Sequence, residues 1–323
     1  MIIRSAFSTD VTHRLQGCRR WLRVALIAYI LSFCHFTIAA GYDTVLIIHD
    51  GKTELAQDII QSFSNHFSNK LLRFDLLDIT TQALPDDNTL KSYTSLITLG
   101  TQAAQITIER NPPAASISLL LSKQAWALIN QQKSTYPRSV IVFDQPISRQ
   151  LQLIREVYGR DAHTGVLLGP YTESLQTELQ EHAKQQQQAL TVKVIQNEDE
   201  LIPALNNLVE QVDLLLAEPD PLVYNKRSIQ GILLLTYRNK TPVIGFSQAY
   251  SRAGAMVSLH SSVEDMAQQA AEIIFDKPVT GRVYSPKYFT ISYNQQVARA
   301  LSYTLPDEKE LIERIVQKEK TQP

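Results

Sequence analysis

The feature of this sequence that leaves the fewest folds open is an alternation of two hydrophobic periods that runs its course twice. From Gly41 onward, short aliphatic and β-branched runs alternate with stretches of helical period. Residues 44–48 (TVLII), 72–78, 95–99 (SLITL), 116–121 and 140–143 read as strands, and residues 53–67, 102–110 and 123–131 between them carry apolar residues at helical spacing. Strands this uniformly apolar are buried on both faces, the signature of a parallel sheet covered by crossover helices. The rhythm then restarts. Strands at 164–168 (TGVLL), 191–195 (TVKVI), 212–217 and 242–246 are separated by helices at 173–186, 198–211 and 222–237. The expectation is an α/β protein of two similar lobes with parallel sheets, joined near residues 144–150, with a ligand cleft between their strand ends. The tail, 307–322, reads as a charged helix whose Leu311, Ile312, Ile315 and Val316 pack it on the surface.

Ahead of Gly41 the pattern differs. Arg14, Arg19, Arg20 and Arg23 precede an apolar run from Val24 to Phe33, and Thr37-Ile38-Ala39-Ala40 supplies small residues before Gly41. These are the three regions of a secretory signal peptide, so residues 1–40 are expected to be removed on export to the periplasm. A retained membrane anchor is the other reading, since residues 21–40 approach the roughly 20 apolar residues of a spanning helix, although Arg23, His35 and Thr37 dilute them. Cys34 follows Leu31-Ser32-Phe33 in faint likeness to a lipid-acylation site, against which the bulky Phe33 argues. Both cysteines, Cys18 and Cys34, lie in this leader, so a processed chain carries no thiol and suits an oxidising compartment. A content of 44% hydrophobic and 20% charged residues is that of a globular protein, and residues 41–323, with 26 basic and 31 acidic side chains and a net charge of −5, carry nothing that suggests a nucleic-acid partner.

One inner strand ends unusually. In LLLAEPDPLVY, residues 214–224, two acids and two prolines follow the aliphatic run. Ligands of open α/β sheets bind outside the carboxyl ends of the strands, so Glu218 and Asp220 stand where a cleft would be. Asp220 before Pro221 is also an ideal N-cap with proline at the first helical position, and capping accounts for it as well as ligand binding does. Glu218 stands at the strand end itself, where a carboxylate is suited to a ligand's ammonium group.

Other motifs fall on spacing. Asp50-Gly51-Lys52-Thr53 resembles the end of a phosphate-binding loop, but the glycine required five positions earlier is Leu46, and no GxGxxG occurs among the 11 glycines. Gly245-Phe246-Ser247-Gln248-Ala249 imitates a nucleophile elbow, yet only His260 follows and no acid lies between Ser247 and His260. With no base, nucleophile and orienter at usable spacing, an enzyme is not expected. The seven histidines are scattered without HExxH or a thiolate, so neither a zinc site nor any cofactor is expected. His49, ending the first strand, is either a polar strand terminus or a hydrogen-bond donor to the cleft.

Taken in order, several segments resemble one family. They are Ile97 to Gln105 (ITLGTQAAQ), Gln150 to Glu156 (QLQLIRE), Thr164 to Leu168, and Val212 to Tyr224. Arg252 to Ala255 with Val257 to Leu259, and Phe289 to Leu301 (FTISYNQQVARAL), complete the series. The order and spacing are similar to those of the periplasmic substrate-binding proteins of ABC importers, in the group of type I binders that includes tryptophan and tyrosine binders. The resemblance implies two Rossmann-like lobes of the type I periplasmic-binding-protein fold. It assigns residues 41–143 and 254–281 to the first lobe and residues 144–253 and 282–323 to the second.

The resemblance further implies a monomer that closes around a small amino-acid-like solute and delivers it to an ABC permease in the inner membrane. It implies contacts from Thr101 and Gln102 in the first lobe, from Ser122 near its hinge side and from Glu218 and Asp220 in the second, with Tyr171 and Ser247 in comparable loops. A solute carboxylate would meet hydroxyls and the helix beginning near Gln102. The chain departs from the family pattern at Ser122-Lys123-Gln124 and at Gly51-Lys52, which bears on the solute rather than the fold. A sensory module signalling to a membrane partner is the alternative use of the same lobes.

Overall fold

The computed structural model describes residues 43–66, 72–276 and 279–321. The expected signal peptide therefore lies outside the described residues. Within them, no helix is long and apolar enough to cross a membrane.

In the first half of the chain, strands β1 (Asp43–His49), β2 (Leu72–Asp78), β3 (Ser95–Leu99), β4 (Ser116–Leu121) and β5 (Arg138–Val142) alternate with helices α1 (Thr53–His66), α2 (Asp87–Lys91), α3 (Thr101–Arg110) and α4 (Lys123–Ile129). The second half carries α5 (Ile147–Tyr158), β6 (Thr164–Leu168), α6 (Leu175–Gln185), β7 (Leu190–Val194), α7 (Leu201–Val209), β8 (Leu214–Leu216), α8 (Ile229–Arg238), β9 (Val243–Gly245), α9 (Gln248–Ala253) and β10 (Val257–His260). After these come α10 (Val263–Asp276), β11 (Val283–Tyr284), β12 (Thr290–Tyr293), α11 (Gln295–Ala300) and α12 (Glu308–Thr321).

Two six-stranded sheets result, in the orders β11-β5-β4-β3-β1-β2 and β12-β10-β9-β8-β6-β7. Among the described residues every pairing is parallel except that of β10 with the edge strand β12. Ile47 sits between Leu76 and Ile97 in the first sheet, and Val166 between Val192 and Leu216 in the second. Such inner positions are fully buried because helices cover both faces, which is why the strands read as unbroken aliphatic runs. The expected two-lobe α/β architecture is the observed one.

The lobe boundaries differ from the expectation. Strand β10 belongs to the second sheet through its pairing with β9 and β12, so the first lobe does not resume at residue 254. It resumes with α10, whose Ala267, Ala270 and Ala271 pack against Ala56, Ile59 and Phe63 of α1 on the first sheet. Strand β11 likewise pairs with β5, so the second lobe is rejoined after Tyr284 rather than at residue 282. Among the described residues the chain thus crosses between lobes three times, at residues 143–146, 261–262 and 285–289.

These crossings are tied together. Gln145 Nε2 donates to Ser261 Oγ (3.0 Å), and Ser261 Oγ donates to the Tyr288 carbonyl (2.7 Å). Arg149 Nη1 donates to Gln145 Oε1 and to the Pro286 carbonyl, each at 2.9 Å, while its Nε and Nη2 reach Glu319 of α12 at 2.6 and 3.0 Å. Helix α12 is held by more than surface contact: Leu311 and Ile315 lie fully within the second lobe's core.

Two local differences have local causes. The helix expected from residue 222 begins at Ile229, because Asn225 and Ser228 spend their side chains on each other's backbone and on the Val223 carbonyl (2.6 Å), holding residues 221–228 in turns. Helix α10 was not expected, although Ser262 and Asp265 form a reciprocal capping box at its start (2.8 and 3.0 Å).

Candidate functional site

Both sheets follow the order in which the chain reverses beside its first strand, and ligands sit outside the strand ends at that reversal. In the first lobe the reversal lies between β1 and β3, which end at His49 and Leu99. His49 is buried and its Nδ1 has no hydrogen-bond partner among the described residues. Gly100 follows with φ 89°, and a Cβ there would stand 3.1 Å from Lys52 Nζ, which pairs with Asp50. Among the described residues no side chain caps α3, so Thr101 and Gln102 stand exposed at an open helix N-terminus, a favourable place for an anion.

In the second lobe the reversal lies between β6 and β8. Glu218 follows β8 and is 3% exposed, and its Oε1 has no hydrogen-bond partner among the described residues. Burial, then the neighbouring Asp144, push its carboxyl up to about 8, against the opposing pull of the Gln150 amide. Asp144 is itself raised by burial, which the N–H of Lys123, donating at 2.7 Å, offsets in part. Glu218 and Asp144 line a cavity of about 350 Å³ together with Lys123, Gln150, Glu178 and His182. That cavity lies between α4 of the first lobe and α5 and α6 of the second.

Asp220 stands differently. Its Oδ2 accepts from the Thr172 N–H (3.0 Å) and hydroxyl (2.9 Å), and its Oδ1 from the N–H groups of Leu222 (2.9 Å) and Val223 (3.3 Å). Gly169 makes room for it: a Cβ there would stand 2.5 Å from Asp220 Oδ1. With four donors and 1% exposure, the carboxylate is engaged by the fold, as the capping reading of Asp220 expects.

Two other expected residues meet across the lobes. The Ser122 hydroxyl accepts the Ala125 N–H at the start of α4 and lies 3.0 Å from the Tyr171 hydroxyl. Tyr171, from the second lobe, packs on the first-lobe cluster containing Trp126 and Val142. Close by, Lys123 Nζ reaches Glu178 Oε2 at 3.6 Å. Ser247 lies apart from these: it lines a larger cavity, about 760 Å³, between α1, α9 and the hinge, with Phe143, Phe246 and His260. His49, Thr101, Gln102, Ser122, Tyr171 and Asp220 line neither cavity. Asp144 and Glu178 were missed by sequence reasoning; Asp144 carries the same signal as Glu218, an acid directly after an aliphatic strand.

The molecule matches known proteins at the level of family and fold. Residues 79–282 match the family model described as ABC transporter substrate binding protein. No curated protein matches the chain. Among solved structures, the ligand-free, open form of CD0873, a substrate binding protein with adhesive properties from Clostridium difficile, superposes with TM-score 0.61 at 16% identity, over 82% of this chain and 96% of that one. A conserved domain protein of Vibrio cholerae gives TM-score 0.54 at 18% identity, over 85% and 98%. The ABC domain in complex with L-Trp from Streptococcus pneumonia gives 0.55 at 12% identity, over 84% and 98%. These likenesses show the fold; the family match covers well over half of the chain, and on it this protein belongs to the ABC transporter substrate binding protein family.

Proposed function

We propose that this chain is the solute-binding component of an importer, a periplasmic monomer that clasps a small amino-acid-like solute between its lobes and delivers it to a permease in the inner membrane. The observation that carries this reading is Glu218, just past the end of an inner strand: among the described residues one of its carboxylate oxygens is buried without a partner, and the residue lines a cavity to which both lobes contribute. A polar atom left unpaired at that depth costs about 1–3 kcal/mol, and a solute ammonium repays it. Thr101, Gln102 and His49, which line neither cavity here, reach the solute's carboxylate at the open N-terminus of α3 only once the lobes move. Ser122 and Tyr171 then close the lobes over it. The solute adds to closure only through contacts it makes in the shut state and lacks in the open one. The leader before Gly41 supports export, and the matched family supports the permease as partner.

The test is a thermal-shift screen of the exported chain against amino acids, short peptides and nucleoside-like solutes, followed by small-angle scattering with any solute that binds. A bound amino acid present at about 100 times its Kd is expected to stabilise by about 2.7 kcal/mol. It is also expected to reduce the radius of gyration. Binding that leaves the radius unchanged, or an affinity untouched by Glu218→Ala, defeats the reading.

A further inference from the structure

We infer that Glu218 is a proton-holding receptor for one positive charge: its carboxyl is protonated while the cavity is empty and gives the proton to solvent when an ammonium-type cation enters. This rests on the reading that Glu218 faces the solute. It adds the charge of the solute's anchoring group and a proton released on binding.

The geometry around Glu218 leaves its charge uncompensated. Facing the cavity are Asp144 from the first crossing, Gln150 from α5, Glu178 and His182 from α6, and Lys123 from α4. Lys123 is committed elsewhere, its ammonium at 3.6 Å from Glu178 and its N–H on Asp144. Among the described residues no cationic side chain forms an ion pair with Glu218. From its own segment, Asp220 is consumed by four donors and the Tyr224 hydroxyl is buried without a partner. An ionised Glu218 in the empty protein would therefore have the Gln150 amide but no cation beside it, next to a second carboxylate. The cheapest neutralising agent available to it is a proton. Burial and Asp144 displace its titration in the same direction, to about 8.

The exchange balances. The O–H bond of Glu218 breaks and its proton passes to water. The carboxylate left behind accepts an N–H of the entering ammonium, so total charge is conserved. A metal ion is the poorer occupant, because among the described residues no three His, Cys, Asp or Glu side chains converge as ligands. Below about pH 8 the apparent affinity for a cation must then rise by about tenfold per pH unit, since the proton competes for the same oxygen.

The test uses the full chain with carbon-13 label on glutamate side-chain carboxyls, titrated by NMR in methylammonium chloride and in sodium chloride at equal ionic strength. One resonance, missing from Glu218→Gln, is expected to titrate near 8 in sodium chloride and at lower pH as methylammonium is raised. Should Glu218→Gln fail to fold, Asp144→Asn identifies the same resonance by lowering its midpoint. A midpoint in the ordinary glutamate range, or one that methylammonium does not move relative to sodium, overturns the proposal. If solutes still close the lobes and Glu218→Ala still weakens them while the titration fails, only the proton coupling falls. If Glu218→Ala leaves solute affinity unchanged, it is the solute-clasping reading that falls.

Discussion

The hydroxyls of Ser122 and Tyr171, which belong to different lobes, lie 3.0 Å apart. Ser122 is fixed by its cap on α4 and Tyr171 by its packing on the Trp126 cluster, so each arrives at the contact already oriented. A single hydrogen bond of this kind contributes about 0.5–1.5 kcal/mol, a factor of about 2 to 10 in an equilibrium. Tyr171→Phe keeps the ring and loses the bond. Its solute-free ensemble is expected to shift toward open lobes by that factor, read as a larger radius of gyration in small-angle scattering. Scattering identical to the parent chain would remove this contact from the closing mechanism.

Asp220 makes the opposite case, a strand-end acid that serves the fold. Asp220→Ala strands the N–H and hydroxyl of Thr172 and uncaps the turn at Leu222 and Val223. The expected loss is about 2–4 kcal/mol in urea unfolding, from a lost cap and a buried donor left unpaired. Gly169→Ala is expected to destabilise as well, because the new methyl would stand 2.5 Å from Asp220 Oδ1. A neutral Asp220→Ala would return this carboxylate to the list of solute contacts.

Arg149 binds Gln145, Pro286 and Glu319 at once and lies with its guanidinium 4.3 Å from the centre of the Phe289 ring. It thereby joins the first and third crossings to the terminal helix. Its side chain is 5% exposed and that of Glu319 is 30% exposed. Removing the buried member of such a pair is the costlier change, so Arg149→Ala is expected to lose about 3–5 kcal/mol in chemical denaturation. Glu319→Gln is expected to lose less, because water reaches the carboxylate side of the pair. Equal losses would mean that the pair, rather than the stitched crossings, is what Arg149 supplies.

The sequence made the inner strands plain, since burial on both faces leaves no polar alternation to confuse them. It also brought Glu218 forward, because an acid directly after an aliphatic strand has one structural address. Pairing partners were hidden. Nothing near Val257 says that it will lie antiparallel to Tyr293, and that pairing is what moved the lobe boundary. Ser122 and Tyr171 were each marked as solute contacts, while their contact with one another spans 49 positions and two lobes. The spending of Asp220 on Thr172, 48 positions away, was hidden for the same reason. The start of α10 was readable: Ser262-x-x-Asp265 ahead of Met266 and Ala267 is a helix-opening signature.

Glu218 also sets how folding stability responds to pH. Its carboxyl is raised from an ordinary 4.5 to about 8 in the folded chain, so across that interval the folded state holds a proton that the unfolded state has released. Stability falls with pH wherever the folded state binds more protons, so the contribution of Glu218 is whole below about 4.5, declines toward 8, and is flat above it. Glu218→Gln keeps the shape and cannot ionise. The parent and this variant are therefore expected to match in stability near pH 4.5 and to separate by a few kcal/mol at pH 8, on the order of what a fully buried acid displaced this far supplies, with the variant the more stable. Urea unfolding of both proteins between those limits measures the gap. A gap that stays constant with pH would mean that Glu218 is ionised throughout, and that the cavity holds a compensating charge.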